Sequence, residues 1–179
     1  MKKILAVLVG VIITTGVLAG SEPIQLSLTP DIALYNRSAR IEGLTLNIWG
    51  ENPQSALALG IVNGSTGRSA GLSVGLINYA DSYKGVQLAL FNYTKGDFRG
   101  WQFGLVSYTE GSMKGLQTGL AMNYAGRLTG LQFGLVNYAE AADAGVQIGL
   151  VNIIHQNTSW FTGLPDELAP GMILVNWRF

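Results

Sequence analysis

The sequence predicts an all-β protein, an antiparallel up-and-down meander closed as a small transmembrane-type β-barrel of about ten strands. Three observations predict it. A phrase returns at a fixed interval, apolar residues alternate with small or polar ones inside each copy, and the last strand ends on an aromatic residue.

The phrase is plainest between Gly100 and Tyr138. Gly100-Trp-Gln-Phe-Gly-Leu-Val-Ser-Tyr108 returns as Gly115-Leu-Gln-Thr-Gly-Leu-Ala-Met-Asn123 and as Gly130-Leu-Gln-Phe-Gly-Leu-Val-Asn-Tyr138. Further copies start at Gly71, Gly85 and Gly145, with a weaker one at Ala56, so the period is 15 with one step of 14. A fixed period is the mark of a repeat architecture. The alternation within each copy has the two-residue period of a strand, not the 3.6 of a helix.

Pairs such as Lys95-Gly96 and Glu110-Gly111 suit two-residue hairpin turns, because Gly accepts a positive φ. Parity agrees with hairpins: Thr109 and Ser112 flank such a turn, and both strands then place bulky apolar residues on one face. Pairing about that turn sets Gln117 opposite Gly104, and about the next one opposite Gly134. A long amide lying over bare backbone accounts for the Gly-x-Gln-x-Gly spacing without a ligand.

Taken in order, residues 1–20 read as a secretory signal peptide: two lysines, an apolar run from Ile4, then small residues at Val17, Ala19 and Ser21. Residues 21–179 read as a single repeat-built β domain. Gln25 to Tyr35 is a strand interrupted by Pro30, and Ile41 to Trp49 a second strand. The repeats occupy about 54–154, a loop 154–170, and a closing strand 171–179. Two early strands, seven repeats and a closing strand give an even number, with one long loop on one side, as in outer-membrane barrels.

The end of the chain is more specific. Ile173, Val175, Trp177 and Phe179 alternate up to the terminal aromatic, which resembles the recognition end of bacterial outer-membrane barrels and implies the barrel-insertion machinery as a partner. The repeat phrase itself resembles a family of exported bacterial surface-repeat proteins with tandem Gly-Leu/Val-Gln-x-Gly-Leu-x-Asn-Tyr units. The departures are Ser73, Ala89, Ser107, Met122 and Asn123. The resemblance implies export and architecture, with no assigned activity. A polyester-synthase label on some members would require a cysteine nucleophile, and this chain has no Cys.

Composition narrows function further. Net charge is zero, charged residues are 12%, and mean hydropathy is +0.29, which supplies no basic field for nucleic acid and suits outer-membrane lipid as a partner. The Gly spacing recurs inside strands and so is not a phosphate loop. The Asn and Tyr positions, Asn63, Asn78, Asn92, Asn137 and Asn152 with Tyr79, Tyr93, Tyr108 and Tyr138, sit near strand ends, where Tyr belongs at a polar-apolar boundary.

His155, Ser159, Asp166 and Glu167 share the long loop without the spacing of a hydrolase or acyltransferase site, and no metal or cofactor is expected. Trp160 and Phe161 in that loop read as a lid, with His155, Trp160, Phe161, Asp166 and Glu167 as a possible partner-binding loop. The expected function is a structural or interaction role at the outer membrane or cell surface, with a narrow or closed lumen and no catalysis.

One dimension strains the barrel. Five tilted residues of a unit cover only about 10 to 13 Å against an apolar band of about 25 Å. Lys84, Arg99 and Lys114 would have to snorkel. Two alternatives therefore stand: a soluble exported protein with the Leu/Phe face inward, and a solenoid whose coil is the 15-residue repeat, stacking Gln, Asn and Tyr into rows that bind a ligand or partner.

Overall fold

A computed structural model describes residues 20–179. The expected signal peptide, up to residue 19, lies outside the described residues. The elements are β1 (Glu22–Thr29), β2 (Ile32–Ala33), β3 (Ile41–Asn52), β4 (Ser55–Val74), β5 (Ile77–Leu88), β6 (Phe91–Thr94), β7 (Phe98–Ile154) and β8 (Gly171–Arg178).

Pairing along the chain is parallel and in register with the repeat. Leu44 pairs Leu57, Val62 pairs Ile77, Asn78 pairs Asn92, and Tyr93 pairs Tyr108. A segment that lies parallel on its own next copy is one coil of a β-solenoid. β7 runs for 57 residues and winds on itself, since Gln117 bonds Gln102 and Gln132 bonds Gln117, each 15 residues apart.

The closed antiparallel barrel is thereby overturned, and with it the expected lumen. Alternation fixes which residues share a face but not the direction of the neighbouring strand, so the parity test is passed by hairpins and coils alike. The near identity of the copies is what selects coils. Gln on Gln and Asn on Asn form amide ladders only when copies stack parallel and in register. Gln117 therefore lies on Gln102 rather than between two glycines, and the presumed turn near Gly111 is a corner, where the Ser112 N–H donates to Asp97 Oδ1 of the previous coil at 3.0 Å.

Corners show as breaks in the alternation. In one coil Leu128, Gln132, Asn137, Ala139 and Ala142 are buried, while Leu135-Val136 and Glu140-Ala141 are consecutive outward pairs that reorient the chain. A further bend falls at the first Gly of each phrase: Gly100, Gly115 and Gly130 have φ of 136, 128 and 125°. A Cβ on Gly115 would also collide with the Gly100 carbonyl of the coil before it. Only glycine fits at these three positions.

The interior has two zones. Gln87, Gln102, Gln117, Gln132 and Gln147 form a fully buried column, and a second column holds Asn63, Asn78, Asn92, Ser107, Asn123, Asn137 and Asn152. Beside them an apolar cluster takes one large side chain per coil, Tyr83, Phe98, Met113 and Leu128, with alanines from neighbouring segments. Tyr83 and Phe98 stack at 6.1 Å between centroids.

Met122 is an inserted residue. Asn123 occupies the Asn column and Tyr124 follows Tyr108 in the Tyr column, so the apparent departures at 122 and 123 are one bulge.

Antiparallel segments close both ends, as open solenoid edges require. β2 turns back on β1 with Ser27 paired to Ala33. β8 lies antiparallel on the last coil, with Val146 opposite Trp177 and Ile148 opposite Val175. Ile173, Val175, Trp177 and Phe179 therefore belong to an end cap, and without a barrel seam the barrel-assembly role expected of them loses its premise.

Candidate surface-binding site

The solenoid is polar inside and apolar on one flank. Ile48, Ile61, Leu76, Leu90, Leu105, Leu120, Leu135 and Leu150 form one outward column, and every member is 40 to 61% exposed. Backbone bonds from Leu76 N to Ile61 O and from Leu105 N to Leu90 O fix the stacking. Two parallel columns lie beside it. One includes Leu57, Leu72, Trp101 and the other Leu59, Phe103, Phe133, Ile148, all more than a third exposed.

At about 4.8 Å between coils and about 3.3 Å between residues along the strand, these columns cover on the order of 400 to 500 Å². Isolated exposed leucines need no explanation, but a contiguous patch of that size marks an interaction surface. Its backbone donors and acceptors are satisfied by the coils above and below, so only side chains set its polarity.

Different side chains border the two sides of this face. On one border Lys84 pairs in register with Arg99, and Lys114 follows one repeat on; none of the three makes an ion pair among the described residues. Like charges stacked at this spacing oppose folding, so their persistence needs another source of favourable energy.

On the other border the rings of Tyr93, Tyr108, Tyr124 and Tyr138 stack in sequence, with centroids 5.9, 4.2 and 5.5 Å apart. Tyr93 donates to Glu110 and Tyr124 to Glu140, each at 2.6 Å. The bond to Glu140 raises the Tyr124 phenol well above its ordinary value, and burial with the Glu51 bond pushes Tyr79 up to about 12. These phenols remain neutral donors. The Tyr residues thus stand at a polar-apolar boundary, and of the Gln, Asn and Tyr rows expected as a binding surface only Tyr is outside.

A groove opens where the cationic border meets the corner. Arg40, Arg68, Lys84 and Arg99 line it together with Ser82, Asp97 and Tyr83, around a space of about 590 Å³. A second, apolar groove of about 790 Å³ lies at the amino-terminal end between Leu26, Ile32 and Leu46 and continues the apolar face.

The long loop forms a structural plug. Glu167 accepts from Thr158 N at 3.2 Å and from Ser159 N at 3.0 Å, takes a further bond from the Ser159 hydroxyl, and pairs with Arg178 of β8. The Ser159 hydroxyl is the main reason its carboxyl is held down to about 2. A carboxylate so engaged is not available as a general base. His155 is exposed and gives its backbone N–H to Ala139 O. Trp160, Phe161 and Asp166 are exposed as well, the two rings edge to face at 6.3 Å, so they do not close over a site.

Among the described residues no cluster of three His, Cys, Asp or Glu could hold a metal, and no helix is long and apolar enough to cross a membrane. No family model, curated protein or solved structure matches this chain.

The apolar face is legible in part from the Leu/Phe alternation, which groups these residues on one face and leaves open whether that face points outward or inward. The cationic groove was missed. It gathers Arg40, Arg68, Lys84 and Arg99 from different coils, and only the 15-residue stacking reveals that they are neighbours.

Proposed function

We propose that the protein is an exported, non-catalytic repeat protein that rests on a lipid surface through its Leu/Phe face. The observation that carries the reading is the eight-residue aliphatic column, which is half-exposed throughout while amides occupy the interior. Covering each such side chain is worth on the order of 1 kcal/mol, so the column supplies most of a stable membrane association. The borders fit the same surface. Tyr belongs at headgroup level, and Lys and Arg reach anionic phosphates while their stems lie along apolar surface. The export read from the amino-terminal segment and the outer-membrane or cell-surface localisation read from the apolar composition and the terminal aromatic belong to this proposal.

Flotation with phosphatidylcholine vesicles tests it. The protein is expected to float, brominated acyl chains are expected to quench Trp101, and Leu120→Glu with Leu135→Glu is expected to weaken partition at least tenfold. Recovery of the wild type in the soluble fraction contradicts the reading. If it instead sediments as a dimer that Leu120→Glu dissociates, the face belongs to a second copy of the chain.

A further inference from the structure

We infer that the solenoid enters the acyl region of a single leaflet edge-on, along the corner between two apolar flanks, and that this wedge makes it select convexly curved membranes. Such insertion presupposes the lipid-surface reading and adds to it a second flank, a depth and a preference for membrane shape.

Apolar side chains line both sides of the corner. Trp49, Val62, Ile77, Phe91 and Val106 pair in register as a further outward column, one residue past the aliphatic one. Trp49, Ile77, Phe91 and Val151 are 39 to 48% exposed. Each directly follows a member of the aliphatic column, as in Leu90-Phe91, and such consecutive outward pairs are where the chain reorients. A molecule lying flat on the Leu/Phe face would leave Ile77 and Phe91 in water.

The section also tapers toward that corner. There the inward residue is Gly104, Gly119, Gly134 or Gly149, and a Cβ on Gly134 would collide with the Gly119 carbonyl of the coil before it. Two residues back, the Gln102 amide reaches the opposite flank, donating to Thr94 Oγ1 at 3.1 Å and accepting from Thr109 Oγ1 at 3.2 Å. Farther still the interior holds the ring of Phe98. A body narrow among acyl chains and broad at the headgroups spreads the outer part of one leaflet, which costs least where the membrane is convex.

Backbone bonding at the corner suits hydrocarbon. Lipid offers no partner to a bare carbonyl, so inserted backbone must be satisfied within the protein. Phe103 O accepts from Ala89 N at 3.0 Å and from Asn92 Nδ2 at 2.8 Å, while Leu90 O accepts from Leu105 N and Val106 N at 2.9 and 3.0 Å. The Asn bond recurs from Asn123 to Phe133 O and from Asn137 to Ile148 O, both at 2.9 Å.

Depth agrees as well. From Leu90 at the corner, Tyr93 lies about 10 Å up one flank and Val86 about 13 Å up the other, at about 3.3 Å per residue. That is too short to cross a bilayer and fits the hydrocarbon of one leaflet, about 15 Å.

The chain has no Cys, so single cysteines carrying an environment-sensitive dye report each flank separately. With phosphatidylcholine vesicles bearing acyl-chain nitroxides, labels at Phe91→Cys and Phe103→Cys are expected to be quenched alike, and one at Leu105→Cys most strongly. Phe91→Glu should weaken partition about tenfold, as should Phe103→Glu. The wild type should bind small sonicated vesicles at least threefold more tightly than large extruded ones of the same lipid. A Phe91 label left in water while the Phe103 label is quenched would overturn edge-on insertion and leave the lipid-surface reading intact. Equal affinity for small and large vesicles would overturn the curvature preference. Protection of both labels in vesicle-free buffer would overturn insertion in favour of a second copy of the chain. Failure of the wild type to bind any vesicle would sink the lipid-surface reading, and the wedge with it.

Discussion

Gln117 donates its Nε2 to Oε1 of Gln102 at 2.9 Å and accepts at its own Oε1 from Gln132 at 2.8 Å. The Gln column thus donates toward the amino terminus. The Asn column runs the other way, with Asn123 donating to Asn137 and Asn137 to Asn152, both at 2.8 Å. Unpaired atoms fall where these columns stop: Gln87 Nε2 and Gln147 Oε1 at the two ends of one, Asn47 Oδ1 at the start of the other. The interior of this solenoid is held in register by side-chain amides as well as by backbone.

Cutting the Gln column in the middle should therefore cost more than the volume lost. Gln117→Leu leaves Gln102 Oε1 and Gln132 Nε2 each without this partner, a loss of about 2 to 4 kcal/mol. For a domain of this size that lowers Tm by about 5 to 15 °C, as thermal unfolding followed by circular dichroism would report. An unchanged Tm would mean the ladder contributes nothing.

The Asn column offers the opposite experiment. Ser107 interrupts it, and both Ser107 Oγ and Asn123 Oδ1 are buried without partners. Ser107→Asn is expected to make the column continuous from Asn63 to Asn152 and to raise stability by about 1 kcal/mol, or a few degrees in Tm. A lower Tm would show that the Met122 bulge has shifted the site out of register.

These columns also explain how far the sequence could be read. The period, the all-β class and the grouping of Leu and Phe on one face were legible from spacing alone, whereas the outward direction of that face was not. Strand direction was not either, because Thr109 and Ser112 satisfy the parity of a hairpin as well as that of a corner. The information that separates the two is the sameness of Gln87, Gln102, Gln117 and Gln132, a cost-free coincidence for a meander and a bonding requirement for a coil. The binding surface was harder still to see, since Arg68, Lys84 and Arg99 share no local motif and meet only through coil-to-coil register. His155 and Glu167 are reactive residue types, yet Glu167 organises the carboxyl-terminal cap.

That cap should respond to acid. The folded carboxyl of Glu167 is held near 2, below its ordinary value, chiefly by the Ser159 hydroxyl. A depressed folded value stabilises above the unfolded one, so the contribution is complete at neutral pH and is lost as pH falls from about 4.5 toward 2. Hydrogen exchange at the Thr158 and Ser159 amides should accelerate over that window, and Glu167→Gln should abolish the pH dependence. Protection that stays constant down to pH 2 would show that other contacts hold the loop.

Disulfide formation between introduced cysteines tests the coil itself most directly, and the chain has no Cys to interfere. Leu105 and Leu120 lie one above the other in adjacent coils, about 4.8 Å apart, within disulfide range. In an antiparallel meander Leu105 would instead face Leu116, which the solenoid holds about 13 Å away along the neighbouring coil. The solenoid predicts rapid oxidation of the Leu105→Cys/Leu120→Cys variant and none of Leu105→Cys/Leu116→Cys. The reverse outcome would contradict the fold, and with it the apolar face.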